Sequence, residues 1–169
     1  MGDPAHTAWF NGSRPHPGWL SLSLFNREGT GAMLEVATVS APTVDLPAFK
    51  RRKALNDVPL TACYATRRGD RVNLFLLSRR LGQRGAGGDA GYTPVSVELP
   101  FTGARRVTCF RMTGNPRLTN LDSEQVRIET VAIAPDRVRA PFALSAATGA
   151  DDRGLPPGST FLYVFEGVK

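Results

Sequence analysis

Six glutamates, Glu28, Glu35, Glu98, Glu124, Glu129 and Glu166, are the side chains best suited to acid–base chemistry in this sequence. Two carboxylates facing each other roughly 5 to 9.5 Å apart, one of them kept protonated by its surroundings, cleave a glycosidic bond. The neighbours of these six argue for another role. Glu98 and Glu129 alternate with apolar residues, which puts them on the solvent side of strands. Glu35 lies in a strand of mixed character, and the other three fall near element ends. All six read as exposed structural carboxylates, and no catalytic residue is assigned. Asp151-Asp152, the adjacent acidic pair, sits in a glycine-rich loop without the alternating oxygen spacing of calcium loops. His6 and His16 stand apart from Cys63 and Cys109 with no zinc spacing, and no Gly-x-Ser-x-Gly nucleophile motif occurs. Neither a metal nor a cofactor is expected.

The binding candidates are equally sparse. Gly82 to Gly91 is glycine-rich, but no Lys-Ser or Lys-Thr follows and no helix begins there, so it reads as a flexible loop rather than a phosphate cradle. The formal charge is +6, and the basic residues are mostly arginines, some of them in pairs scattered along the chain. Lys50-Arg51-Arg52-Lys53 is the dense cluster, read as a solvated loop between strands. Without a nucleic-acid motif, nucleic acid is not an expected partner. Nor is a membrane, since no apolar run approaches the roughly 20 residues of a span. An aromatic ring stacks on the apolar face of a pyranose, and the candidates for that are Trp9, Phe10, Trp19, Tyr92 and Phe101. Trp9 and Tyr92, both in loops, are the candidate sugar contacts; Trp19 belongs to a helix and reads as core. Cys63 and Cys109 sit mid-strand and read as small buried hydrophobes, with a bridge between neighbouring strands left open.

These residues must be positioned by strands. A chain of 169 residues with 17 glycines and 13 prolines is long enough for one domain with a real core and has the profile of short strands joined by turns. Met1 to Pro17 is irregular. Pro17 suits the first position of a helix, Trp19, Leu20, Leu22, Leu24 and Phe25 form its apolar face, and Gly29 and Gly31 stop it, which predicts a helix over 17–27. Strands follow at 33–39, 58–66 and 71–80, with a proline-bounded loop reaching Asp57 and a tight turn at Arg67-Arg68-Gly69-Asp70. Leu74 to Leu77 is apolar on both faces, as in a strand buried at the middle of a sandwich. Val95, Val97, Leu99 and Phe101 point inward while Ser96 and Glu98 meet water. Strands at 105–112 and 126–133 come next, the latter with a phase change that suggests a bulge near Thr130. A short strand at 142–144 precedes a Pro-Pro turn and a last strand, Phe161 to Phe165. The expected architecture is all-β, an antiparallel β-sandwich of about seven or eight strands with one short N-terminal helix.

Leu118-Thr119-Asn120 with Val126 downstream, and Leu155-Pro156-Pro157-Gly158-Ser159 before the last strand, resemble the C-terminal β-sandwich of arabinofuranosidase-like retaining glycoside hydrolases with a (β/α)-barrel catalytic domain. Leu77-Ser78-Arg79-Arg80 departs from the Asn-Arg-Ser that ends the corresponding strand of that family. The stretch from Arg14-Pro15-His16-Pro17 through Phe25 to Glu35-Val36 is similar to the last barrel helix and the strand that returns to the sandwich. The resemblance implies that residues 1–32 are the remnant of a barrel domain and 33–169 the sandwich. It also implies that the catalytic glutamates lie outside this chain, and that the chain is a piece of a longer enzyme.

Three function classes follow from these readings. The first is a non-catalytic accessory domain whose partner is the catalytic barrel of the same parent protein. The second is an autonomous carbohydrate-binding module with an oligosaccharide as partner. The third is a basic domain for an acidic polymer. Localisation, cytoplasmic or secreted, depends on the parent chain.

Overall fold

The computed structural model describes residues 10–11, 14–37, 41–80, 92–113, 120, 123–135, 142–143 and 154–169. Two short strands, β1 (Phe10–Asn11) and β2 (Arg14–Pro15), pair with each other and lead into helix α1 (Pro17–Glu28). Pro17 occupies the first helical turn, where its missing N–H costs nothing. The helix ends at Gly29, whose N–H donates to the Phe25 carbonyl at 2.7 Å. Strand β3 (Ala32–Leu34) follows, then β4 (Thr43–Leu46), β5 (Leu55–Pro59), β6 (Thr61–Arg68) and β7 (Arg71–Ser78). The chain continues through β8 (Ser96–Val97), β9 (Arg106–Thr113), β10 (Arg127–Ile133), β11 (Phe142–Ala143) and β12 (Thr160–Glu166).

Six strands form an antiparallel sheet in the order β10-β9-β12-β7-β6-β3. The last strand therefore lies at its centre, between β7 and β9. Both β7 and β12 are apolar along nearly their whole length because both faces of the sheet are covered. On one face Val72, Leu74, Leu76, Val107, Cys109, Phe161, Tyr163 and Phe165 pack with Leu99, Phe101 and Leu155 from the segments that cross them. The β8–β11 pair belongs to that covering layer. On the other face Phe75, Leu162 and Val164 receive Leu24, which is fully buried, from α1. Burying one such leucine contributes about 2 kcal/mol. A marginal 12-residue helix is thereby held by tertiary packing. The result is the antiparallel all-β sandwich with one helix that composition and periodicity led one to expect.

Several local expectations are corrected. The proline-bounded loop before Asp57 contains the β4–β5 hairpin, hidden because its register shifts between Val44 and Leu46 and because Lys50 and Asp57 take left-handed φ values of 51° and 53°. The strand expected over 58–66 is two strands: Val58 and Pro59 end β5, and β6 begins at Thr61 after Leu60 donates to the Pro42 carbonyl and accepts from the Arg79 N–H. The strand from Met33 stops at Leu34. No bulge interrupts β10, which keeps an unbroken register from Arg127 opposite Thr113 to Ile133 opposite Val107. The phase change there reflects coverage on both faces: Ile128 packs on the helix side, while Val131 and Ile133 pack on the other.

The turn at Gly69-Asp70 and the final bend agree with expectation. Pro157 followed by Gly158 at φ 61° gives the residue order of a type II turn. The Ser159 hydroxyl donates to the Pro156 carbonyl at 2.7 Å, and Leu155 exchanges two backbone hydrogen bonds with Thr93.

Candidate functional site

A cleft of about 740 Å³ opens between the end of β3, the β6 and β7 surface, and the segment carrying β8. Its floor is aliphatic, with Leu74, Leu76 and Leu155, and Glu35 and Glu98 stand at its lining. Alternation places Glu98 on the solvent side of its strand, whereas Glu35 lies in a segment of mixed character. Both are exposed, and the fold brings them to one cleft from residues 63 positions apart (98 − 35). Neither carboxyl is enclosed by the fold. Among the described residues no aromatic side chain lines the cleft to offer a flat ring for a pyranose.

The remaining glutamates serve the scaffold. Glu28, at the end of α1, pairs with Arg27 and with Arg71 at the start of β7. Partial burial pushes its carboxyl up, but the hydrogen bonds from Arg27 and Arg71 outweigh this and hold it below the usual carboxylate range. Arg71 also donates to Asn73 Oδ1, and the buried Asn73 donates to the Thr66 hydroxyl at 3.0 Å. The helix C-terminus is thus keyed to the sheet. Glu129 is held low chiefly by the Arg111 guanidinium at 2.8 Å, with Arg127 adding to it. Glu166 lies 3.5 Å from Arg106, and Glu124 is exposed.

Tyr92 is half-buried at the start of the segment that crosses the sheet, and its carbonyl accepts from Arg80. It does not line the cleft. Trp9 lies outside the described residues, so the two candidate sugar contacts are not brought together by anything described. Phe101, another of the aromatic candidates, is core: it is 8% exposed and meets the Phe165 ring at 5.1 Å. Trp19 is half-buried on α1. His6, Asp151, Asp152, the glycine-rich stretch 82–91 and the Leu118-Thr119 pair lie outside the described residues, while His16 is the N-cap residue of α1. No group of three or more His, Cys, Asp or Glu side chains is placed to hold a metal among the described residues.

Cys63 and Cys109 are free thiols. Strands β7 and β12 lie between β6 and β9, so the two cysteines are three strand spacings apart, about 14 Å. A disulfide spans less than half of that. Burial pushes the Cys63 thiol up to about 11, and burial pushes Cys109 to about 12 against the opposing pull of Tyr163 and Arg111. Neither is poised as a nucleophile.

No protein-family model matches the chain, and no curated protein matches it in sequence. Its three-dimensional form does have counterparts. The thermostable GH51 α-L-arabinofuranosidase of Thermotoga petrophila RKU-1 superimposes with a TM-score of 0.61 at 13% identity, over 90% of this chain and 29% of that one. A second arabinofuranosidase crystal structure gives 0.55 at 12% identity with the same coverage, 90% and 29%. The chain has the fold of one part of these enzymes. It spans under a third of the arabinofuranosidase chains that it matches. No helix among the described residues is long and apolar enough to cross a membrane.

Proposed function

We propose that this chain acts as a non-catalytic β-sandwich accessory domain of a glycoside hydrolase, packing on and supporting a catalytic (β/α)-barrel of the same parent protein. The observation that carries this reading is the structural match, which takes in 90% of this chain but only 29% of an arabinofuranosidase. Residues 1–32 would then belong with the barrel and 33–169 form the sandwich. The sheet face beside α1 offers a surface for such packing. Leu22 and Phe25 of α1 are 40% and 39% exposed, and Met33 and Tyr64 on neighbouring strands of the same face are 59% and 41% exposed. Phe75 underlies them, with the Phe25 ring 4.9 Å from its own and Tyr64 opposite it in register. Exposed apolar side chains gathered in this way suit a covered interface better than open water.

The test has two arms. The purified 169-residue chain should release no product from aryl arabinofuranosides, and turnover that survives repeated purification would overturn the reading. Linked to a barrel, the sandwich should raise the barrel's melting temperature, and Met33→Asp with Tyr64→Asp should abolish that gain without unfolding the sandwich.

The second reading, an autonomous carbohydrate-binding module, draws on the open cleft. The lack of an aromatic ring among the described lining residues favours the accessory role. Calorimetric titration with oligosaccharides would reverse that preference if binding saturated and was lost on Glu98→Gln, a change in the cleft lining.

A further inference from the structure

The β4–β5 hairpin stands apart from both hydrophobic clusters. Its strands pair only with each other, and its base is tied down by the hydrogen bonds of Leu60 to Pro42 and of Arg79 to Leu60, 2.8 and 2.7 Å long. The tip is ordered. Phe49 and Arg52 exchange backbone hydrogen bonds at 3.1 and 2.9 Å, the Arg52 guanidinium donates to the Pro47 carbonyl at 2.9 Å, and Lys50 takes a left-handed φ of 51°. This conformation displays Lys50, Arg51, Arg52 and Lys53 in succession, all exposed. Among the described residues no carboxylate forms an ion pair with any of the four. The hairpin's own Asp45 is engaged further down, accepting the Asp57 N–H at 3.0 Å. Beside the cations the Phe49 ring is 64% exposed, with Lys50 Nζ 5.4 Å from its centroid.

Four like charges in four residues repel one another in the free protein, so a bound polyanion relieves that repulsion besides gaining attraction. A rigid tip loses little entropy on binding. We propose that this hairpin binds a carboxylated polysaccharide, a chain of uronic acid residues, with Arg51 and Lys53 pairing its carboxylates and Phe49 lying on a sugar ring. A guanidinium fork matches the two oxygens of a carboxylate, and a pyranose presents an apolar C–H face to an aromatic ring. Duplex nucleic acid offers charge but keeps its bases stacked, leaving Phe49 without a partner. Single-stranded nucleic acid is held by successive aromatic platforms, and this tip has one ring. A lipid surface calls for a wider apolar face than a single phenyl group. The proposal does not depend on the accessory-domain reading, because it concerns a different surface and is tested on the isolated chain.

Affinity electrophoresis and calorimetry with polygalacturonate decide it, with neutral arabinan and an oligothymidylate as comparators. The chain should bind polygalacturonate at least tenfold more tightly than arabinan, with affinity falling steeply between about 50 and 200 mM salt. Arg51→Gln with Lys53→Gln leaves the tip hydrogen bonds in place and should cost about tenfold and flatten the salt dependence. Phe49→Ala should cost several-fold without changing the salt slope. Unsaturable binding to polygalacturonate, full affinity in the double variant, or tighter binding to the oligothymidylate would each overturn the proposal.

Discussion

Replacing Asn120 by alanine tests whether one buried side chain fixes the joint between the segment before α1 and the sheet. Asn120 is 1% exposed. Its Nδ2 donates to the Pro15 carbonyl at 2.8 Å and to the Val126 carbonyl at 2.7 Å. Its Oδ1 accepts the Gln125 N–H at 3.0 Å and the Val126 N–H at 2.8 Å. One side chain therefore satisfies four backbone groups, seating the chain before the helix against the start of β10. At about 1 kcal/mol net per hydrogen bond the full set is worth about 4 kcal/mol. Water can reach the part-buried Pro15 and Gln125 groups in the variant, which brings the expected loss to about 3 kcal/mol. With a urea m-value of about 2 kcal/mol/M, the unfolding midpoint should drop by about 1.5 M while m stays unchanged. Asn120→Asp keeps the acceptor, loses both donors and sets a carboxylate against two carbonyls, so it should lose as much or more. Urea unfolding followed by circular dichroism reads both variants. A midpoint shift below about 0.3 M for Asn120→Ala would refute the role assigned to this residue.

The Glu28 carboxyl is held below its unfolded value, so its pairing with Arg27 and Arg71 stabilises the fold above the unfolded pKa and is lost as pH falls through the lowered folded one. Glu28→Gln should accordingly flatten the stability-versus-pH curve between about pH 5 and pH 3, measured by urea melts at each pH. With Cys63 at about 11, its thiolate population at pH 8 falls about a hundredfold below that of an ordinary thiol. A thiol reagent should therefore modify the native chain about a hundredfold more slowly than the urea-unfolded chain; equal rates would contradict the burial of Cys109 and the partial burial of Cys63. Gly154 adopts φ 97°, and an added Cβ would lie 2.1 Å from the Thr93 carbonyl oxygen. Gly154→Ala should lower thermal stability by at least about 2 kcal/mol, whereas Gly69→Ala, with open space around it, should cost only about 1 kcal/mol of backbone strain.

Helix α1 was legible to within one residue because Pro17, the apolar set around Leu24 and the two following glycines are local signals. Strand β7 was legible too, since its apolar run needed no partner to be recognised, although it ends at Ser78 and not at residue 80. The β4–β5 hairpin was not, because its pairing depends on residues of opposite strands meeting across a register shift, and its tip on two non-glycine residues with positive φ. The same holds for the cleft. Glu98 could be assigned to solvent from alternation and Glu35 could not, and nothing in either segment says that the two flank one opening. Tyr92 was legible as a loop residue but not as one set away from that opening.

What the sequence determined by itself was the class of fold: short strands, one proline-started helix, a rigid Pro-Pro-Gly bend and a final apolar strand, all written in residue type and period. It also determined the charge of the Lys50–Lys53 cluster. The tertiary structure alone decided that β12 closes the sheet at its centre, that Cys63 and Cys109 stand too far apart to bridge, and that the basic cluster rides on the tip of a projecting hairpin. The reason is physical. Helix and strand signals are short-range and repeat within a few residues, whereas strand order, clefts and projecting surfaces arise from contacts between segments far apart in sequence, which no local pattern records.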